Sequence, residues 1–131
     1  MLPRDRRVRT PAEFRHLGRT GTRAGRRTVV VSVATDPDQT RSTSPSAPRP
    51  RAGFVVSKAV GNAVVRNRVT RRLRAILREE LESDALRGRP LLVQVRALPP
   101  AAEADHATLR REVHGALSTA LRRHTPRAQE G

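Results

Sequence analysis

Residues 61 to 78 read GNAVVRNRVTRRLRAILR, which places six arginines and two asparagines among valines and leucines without a single acid. A guanidinium is a planar fork of donors suited to phosphate oxygens and to stacking on bases, so several of them in one short segment point to polyanion binding. At 100° per residue, Val65, Val69, Leu73, Ile76, Leu77 and Leu81 fall in one arc of about 160°, the width of a core-facing helical stripe. Asn67, Arg68, Arg71, Arg72, Arg74 and Arg78 fall on the opposite arc. An ordinary exposed helix mixes signs at i,i+4 and gains a few tenths of a kcal/mol per pair, whereas this face repeats like charges and forgoes that gain. A solvated face therefore does not account for it.

Arg66 lies inside the apolar arc but in the first turn, where a long side chain reaches past the core. With Lys58 before the helix, Gly61 at the turn, Asn62 as N-cap and the helix's first backbone N–H groups, it forms an anion pocket whose natural occupant is phosphate.

Hydrolysis by the protein alone would need carboxylates or an imidazole converging on a scissile phosphate. Glu79, Glu80, Glu82 and Asp84 instead crowd the end of the arginine helix as a solvated acidic surface. His106 and His114, eight residues apart on a later helix, are too distant to share a metal. No catalytic and no metal-binding residue is expected in the chain.

Composition agrees with a polyanion partner. The 131 residues carry 27 Lys plus Arg against 12 Asp plus Glu, a net charge of +15, and Lys58 is the one lysine. The chain has no cysteine, which removes disulfides and thiolate zinc sites. Phe14 and Phe54 are its only aromatics, too few for a sheet that stacks several bases on rings. No apolar run approaches the roughly 20 residues of a membrane span, and MLPRDRRVRT lacks the apolar centre of a signal peptide. A soluble cytoplasmic protein without a membrane partner is expected.

The elements that must position the arginine face are legible in outline. TPAEFRHLGRTG predicts a first helix, with Thr10 and Glu13 as a capping box and Gly18 or Gly21 as its end. RRTVVVSVAT, residues 26 to 35, predicts a strand buried on both faces. Residues 36 to 51, rich in Pro, Ser and Thr, predict a mobile loop. RAGFVVSK, residues 51 to 58, predicts a second strand with Phe54 and Val56 on one face, paired antiparallel with the first. The arginine helix then runs from Asn62 to about residue 83 or 84. Gly88 and Pro90 break the chain before a strand over 91 to 98, and a last helix carries Leu109, Val113, Leu117 and Leu121 on one stripe. The fold class is α+β, a small sheet with helices packed on it. One domain is expected over residues 1 to 125, followed by a disordered tail at 126 to 131.

SKAVGNAVVRNRVTRRLR resembles the RNR motif of the protein subunit of bacterial ribonuclease P. The likeness extends over roughly residues 4 to 123, through the N-terminal "EF" helix, GFVVSK, the motif helix and a later strand ending near Arg96. It implies the order α-β-β-β-α-β-α around a small central sheet, with the strands flanking the motif helix parallel and joined by a left-handed crossover. Sequence rules alone favour the right-handed one. It also implies a ribonucleoprotein endonuclease that removes the 5′ leader of precursor tRNA, in which the RNA subunit hydrolyses with Mg²⁺ and the protein assists and broadens substrate use. The partners implied are one catalytic RNA per protein and precursor tRNA. Carried over by position, Lys58, Gly61, Asn62, Arg66, Asn67, Arg68, Arg71, Arg72 and Arg74 would face the catalytic RNA. The cleft between the sheet and the motif helix would hold the single-stranded leader, with Phe14, Phe54, Ser32 and Arg96 as its candidate residues.

This chain departs from that pattern where Gly18 and Ser32 replace common aromatics, and where Ala59 and Thr70 stand at frequent lysine positions. Arginine stacking and phosphate contacts would then carry more of the leader binding. Two other readings use the same charge: a structural RNA-binding protein such as a small ribosomal protein, and a DNA-binding module. Against DNA, arginines over so wide an arc suit phosphate neutralisation better than base reading.

Overall fold

The computed structural model describes residues 16–17, 21–37, 39 and 48–124. Its elements are β1 (Thr22–Gly25), β2 (Val29–Thr35), β3 (Arg51–Val55), α1 (Ala63–Leu81), β4 (Leu91–Ala97), a 3-10 turn (Pro99–Ala102) and α2 (His106–Arg123). The expected capping box, Phe14, Gly18, most of the 36–51 loop and the 126–131 tail lie outside the described residues.

The four strands form one sheet in the order β1-β2-β4-β3. β2 runs antiparallel to β4, and β3 runs parallel to it, pairing Arg51 with Leu92 through Val55 with Arg96. The two strands flanking α1 are thus parallel neighbours. The expected antiparallel pairing of β2 with β3 is corrected, because β4 lies between them. Its sequence LLVQVRA is buried at five of seven positions, on both faces, and so requires partners along both edges. The shorter β3, with a glycine at its centre, takes the edge. It ends at Val55, three residues before the expected boundary, so Lys58 sits in a turn closed by Val60 N–H to Ser57 C=O and Gly61 N–H to Lys58 C=O.

One face of the sheet carries Val29, Val31 and Val33 of β2, Leu91, Val93, Val95 and Ala97 of β4, and Ala52 of β3, all buried. Against it pack Val69, Leu73, Ile76, Leu77 and Leu81 of α1 and Leu109, Val113, Ala116, Leu117 and Ala120 of α2. α2 lies over β1 and β2, whereas α1 meets β3 and α2. The other face is covered at one end, where Leu17 meets Ala34 and Leu92. Gly21 makes that approach possible: its N–H bonds the Leu17 carbonyl at 2.9 Å, and a Cβ there would stand 2.2 Å from the same oxygen.

Polar contacts fix the joins. The Asp36 carboxylate, fully buried, accepts from Arg51 Nε at 3.1 Å and from its terminal nitrogen at 2.9 Å. Gln39 donates to the same oxygen and spans to the Arg49 backbone with bonds of 2.7 and 2.8 Å, so the two ends of the segment between β2 and β3 are tied together. Across the sheet, Glu112 of α2 accepts from Thr28 Oγ1 at 2.6 Å and from Thr28 N–H at 2.9 Å, which holds its carboxyl below the usual range.

At the end of β2, Nε2 of His16 donates to the Thr35 carbonyl at 2.9 Å, and Thr35 Oγ1 lies 3.2 Å from Nε2 of His124. Burial, and secondarily the nearby Arg89 cation, push the His124 pKa down. A histidine depressed in the fold contributes stability that is complete above its unfolded value near 6.5 and is lost as pH falls through the lower folded value. The melting temperature is therefore expected to hold between pH 8 and 7 and to drop below about 6.5. His124→Gln should flatten that part of the curve relative to wild type, and an equal pH response in both proteins would refute the assignment.

Candidate nucleic-acid interface

The arginine face begins at a built helix start. Asn62 is the N-cap, its side-chain oxygen accepting from Val65 N–H at 3.0 Å. This uses one of the orphan donors of the first turn and leaves Ala63 and Val64 without an i−4 carbonyl. Gly61 is required by close approach, since a Cβ on it would lie 2.9 Å from Cγ1 and 3.0 Å from Cβ of Val65. No acid stands in the first turn of α1 to offset the positive helix end, and Arg66 follows within that turn. Lys58 and Asn62 are exposed and Arg66 is half-buried, with its Nε lacking a hydrogen-bond partner.

Beyond the first turn, Asn67, Arg71 and Arg78 are exposed, and Arg68, Arg72 and Arg74 are half-buried. Two of these arginines are anchored. Arg68 donates to the Ala102 carbonyl at 3.2 Å and Arg72 to the Ala104 carbonyl at 2.8 Å, which ties α1 to the chain leading into α2. Each carbonyl engages only part of a five-donor guanidinium, so the charge is not consumed, although Nε of Arg68 is itself buried without a partner. Anchoring reduces the side-chain freedom that a flexible cation would lose on binding. Asp105, the N-cap of α2, accepts from Thr108 and lies near Arg111 and Arg72, and its carboxyl is held below the usual range mainly by the Thr108 bonds.

Of the acids expected to form a solvated surface, Glu79, Glu82 and Asp84 are exposed, whereas the Glu80 side chain is only 15% exposed and turns toward α2. Glu79 pairs with Arg110 at 3.2 Å and Glu80 with Nδ1 of His114 at 3.1 Å. Among the described residues, no three His, Asp or Glu side chains gather where one ion could sit. None of the described helices is long and apolar enough to cross a membrane.

The leader-cleft candidates separate. Register places Ser32 opposite Gln94, with Arg23 and Gly53 completing the row, and places Arg96 between Val30 and Val55. Ser32 and Arg96 therefore share the sheet face away from the helices. Phe54 pairs with Val95 on the helix-covered face and packs against the core, so it does not join them. Ser32 is only 5% exposed, whereas Arg96 and Arg23 are exposed and Gln94 is half-buried. Phe14 is outside the described residues.

Sequence reasoning passed over Val64. It is the one large hydrophobic residue exposed among the described residues, at 72%, and it lines a shallow concavity with Asn67, Arg71 and Arg74. Its wheel position, opposite Leu73, was the available signal.

Comparison with known proteins gives one consistent result. A family model described as Ribonuclease P matches residues 2–121. The chain is 80% identical over 130 residues to the ribonuclease P protein component of Micrococcus luteus, covering 99% of this chain and 98% of that one. It is 50% identical over 125 residues to the protein of the same name from Kocuria rhizophila, covering 94% and 98%. Among solved structures, the RNase P protein of Staphylococcus aureus superposes with a TM-score of 0.71 at 23% identity, over 88% of this chain and 94% of that one. The RNase P protein of Thermotoga maritima superposes at 0.65 and 21% identity, over 88% and 96%. At these identities the two structures speak for the fold.

Proposed function

The chain belongs to the ribonuclease P protein family, and from that premise we propose that its α1 face holds the catalytic RNA while the sheet face turned away from α1 and α2 holds the 5′ leader of precursor tRNA. It is the RNA-binding subunit of the enzyme that matures tRNA 5′ ends. The observation that carries the division of labour is the segregation on α1: arginine after arginine on one side, the core on the other, and no acid before Glu79. Lys58, Gly61, Asn62, Arg66, Asn67, Arg68, Arg71, Arg72 and Arg74 are the residues assigned to the catalytic RNA, one protein to one RNA.

For the leader, Arg23 on β1 and Arg96 on β4 provide exposed cations on either side of a floor formed by β2, where Ser32 adds little bulk. An extended strand can lie across such a floor with its phosphates toward the arginines and its bases against Val30 and Val55. Phe54, on the far side of the sheet, supports β3 from within.

Mg²⁺ supplies the activated water and the charge neutralisation of phosphodiester hydrolysis in this reading, and it is held mainly by RNA. The protein's part is electrostatic and positional. Its cations offset repulsion between two RNAs brought side by side, and they fix the leader relative to the catalytic RNA, so less Mg²⁺ is needed. The site of action is the cytoplasm, where precursor tRNA is made in bacteria.

The test is reconstitution. Protein, a bacterial ribonuclease P RNA and precursor tRNA are mixed at low Mg²⁺, and cleavage at the mature 5′ end is followed. Stimulation by the protein is expected. Absence of stimulation, with ribosomal RNA bound tightly instead, would favour a structural RNA-binding role.

A further inference from the structure

The concavity around Val64 has a composition that phosphate binding alone does not explain. Val64 is 72% exposed in the first turn of α1, on a face dominated by arginine and asparagine. A phosphate gains nothing from a valine, and burying one side chain of this kind is worth more than leaving it in water. Asn67 stands one turn on and Arg71 and Arg74 follow, so all four line one stripe of α1 at intervals of three, four and three residues.

Neither Arg71 nor Arg74 forms an ion pair among the described residues, and Nε of Arg74 is buried without a hydrogen-bond partner. The occupant must therefore present an apolar surface to Val64, hydrogen-bonding edges to Asn67, and negative charge to arginines rooted about two to three helical turns further along α1, whose long side chains lean back toward its N-terminus. An unpaired nucleotide has all three: a flat base face, a Watson–Crick edge that an amide can address, and flanking phosphates.

We propose that Val64, Asn67, Arg71 and Arg74 form a subsite that seats one unpaired nucleobase of the catalytic RNA, with Val64 under the base and the two arginines on its neighbouring phosphates. This rests on the reading that α1 faces that RNA and adds to it a position where the protein selects an unstacked nucleotide rather than a run of backbone. Single-stranded loops and bulges are the elements of a folded RNA that offer such a base.

Chemical probing of a bacterial ribonuclease P RNA transcript, free and bound to wild type, Val64→Ser and Val64→Leu proteins, tests it. Val64→Ser is expected to keep its melting temperature, to bind about tenfold more weakly, the factor one buried valine supplies, and to keep an unchanged salt slope because no charge is removed. One unpaired nucleotide should regain reactivity while the rest of the footprint stays, and Val64→Leu should restore its protection. Identical footprints and affinities for wild type and Val64→Ser overturn the subsite while leaving the RNA-binding role intact. A uniform loss of protection across the footprint also overturns it. A wild-type protein that leaves no footprint at all overturns the assignment of α1 to the catalytic RNA, and the subsite with it.

Discussion

Replacing Leu73 by alanine is expected to cost about 2–5 kcal/mol of folding stability, the range for truncating a buried leucine. Leu73 is fully buried near the middle of α1, in the cluster where α1, α2 and the sheet meet. The change removes the transfer free energy of three carbons and leaves a cavity that a packed interior closes only partly. Small domains hold about 5–15 kcal/mol in total, so a loss of this size takes a large share of the margin. Arg71, two residues earlier and exposed, is the control: Arg71→Ala should melt close to wild type while binding RNA less well. Thermal unfolding of the three proteins without RNA checks the pair of expectations. Equal losses for Leu73→Ala and Arg71→Ala would mean that the helix does not present the faces described.

That contrast depends on a helix orientation that local pattern alone supplied. The valines and leucines of α1 repeat with the helical period, Asn62 is a preferred cap, and Gly88, with φ of 75°, stops the chain where the sequence breaks. Each of these features is written in neighbouring residues. The pairing of strands is not. β2, β3 and β4 are all largely apolar, and nothing local says that β4, separated from β3 by the whole of α1, enters between the other two. The decisive property was burial of β4 on both faces, which bears on strand order only once all three strands are weighed together.

The site divides in the same way. The arginine face followed from composition and period. The anchoring of Arg68 and Arg72 did not, because their partners are the backbone carbonyls of Ala102 and Ala104, and alanine gives no sign in a sequence of accepting a bond. These two arginines therefore support the packing of α1 against the entry to α2 as well as facing solvent. Phe54 joins Ser32 and Arg96 only through the family resemblance, whereas strand alternation already assigns it the face of Val56, and register with Val95 places that face under the helices.

The largest effect is expected from salt. Lys58, Arg66, Arg68, Arg71, Arg72, Arg74 and Arg78 give seven cations along α1 and the turn before it. If about six to ten phosphates are neutralised once the sheet's arginines are included, each releases condensed counterions, and affinity for the catalytic RNA should fall by about 10³ to 10⁵ between 50 and 200 mM salt. Ordinary surface ion pairs, each worth about 0–1 kcal/mol, do not produce so steep a dependence. The chain's net +15 adds long-range steering, which the same salt shortens toward a Debye length of about 8 Å. A logarithmic plot of binding constant against salt concentration measures the number of phosphates directly. Arg71→Ala, which has no carbonyl anchor, should reduce that slope by about one. Arg68→Ala should do the same and lower stability as well, because the Ala102 carbonyl loses its donor. A nearly flat plot for wild type would exclude electrostatic capture by α1, whatever the RNA.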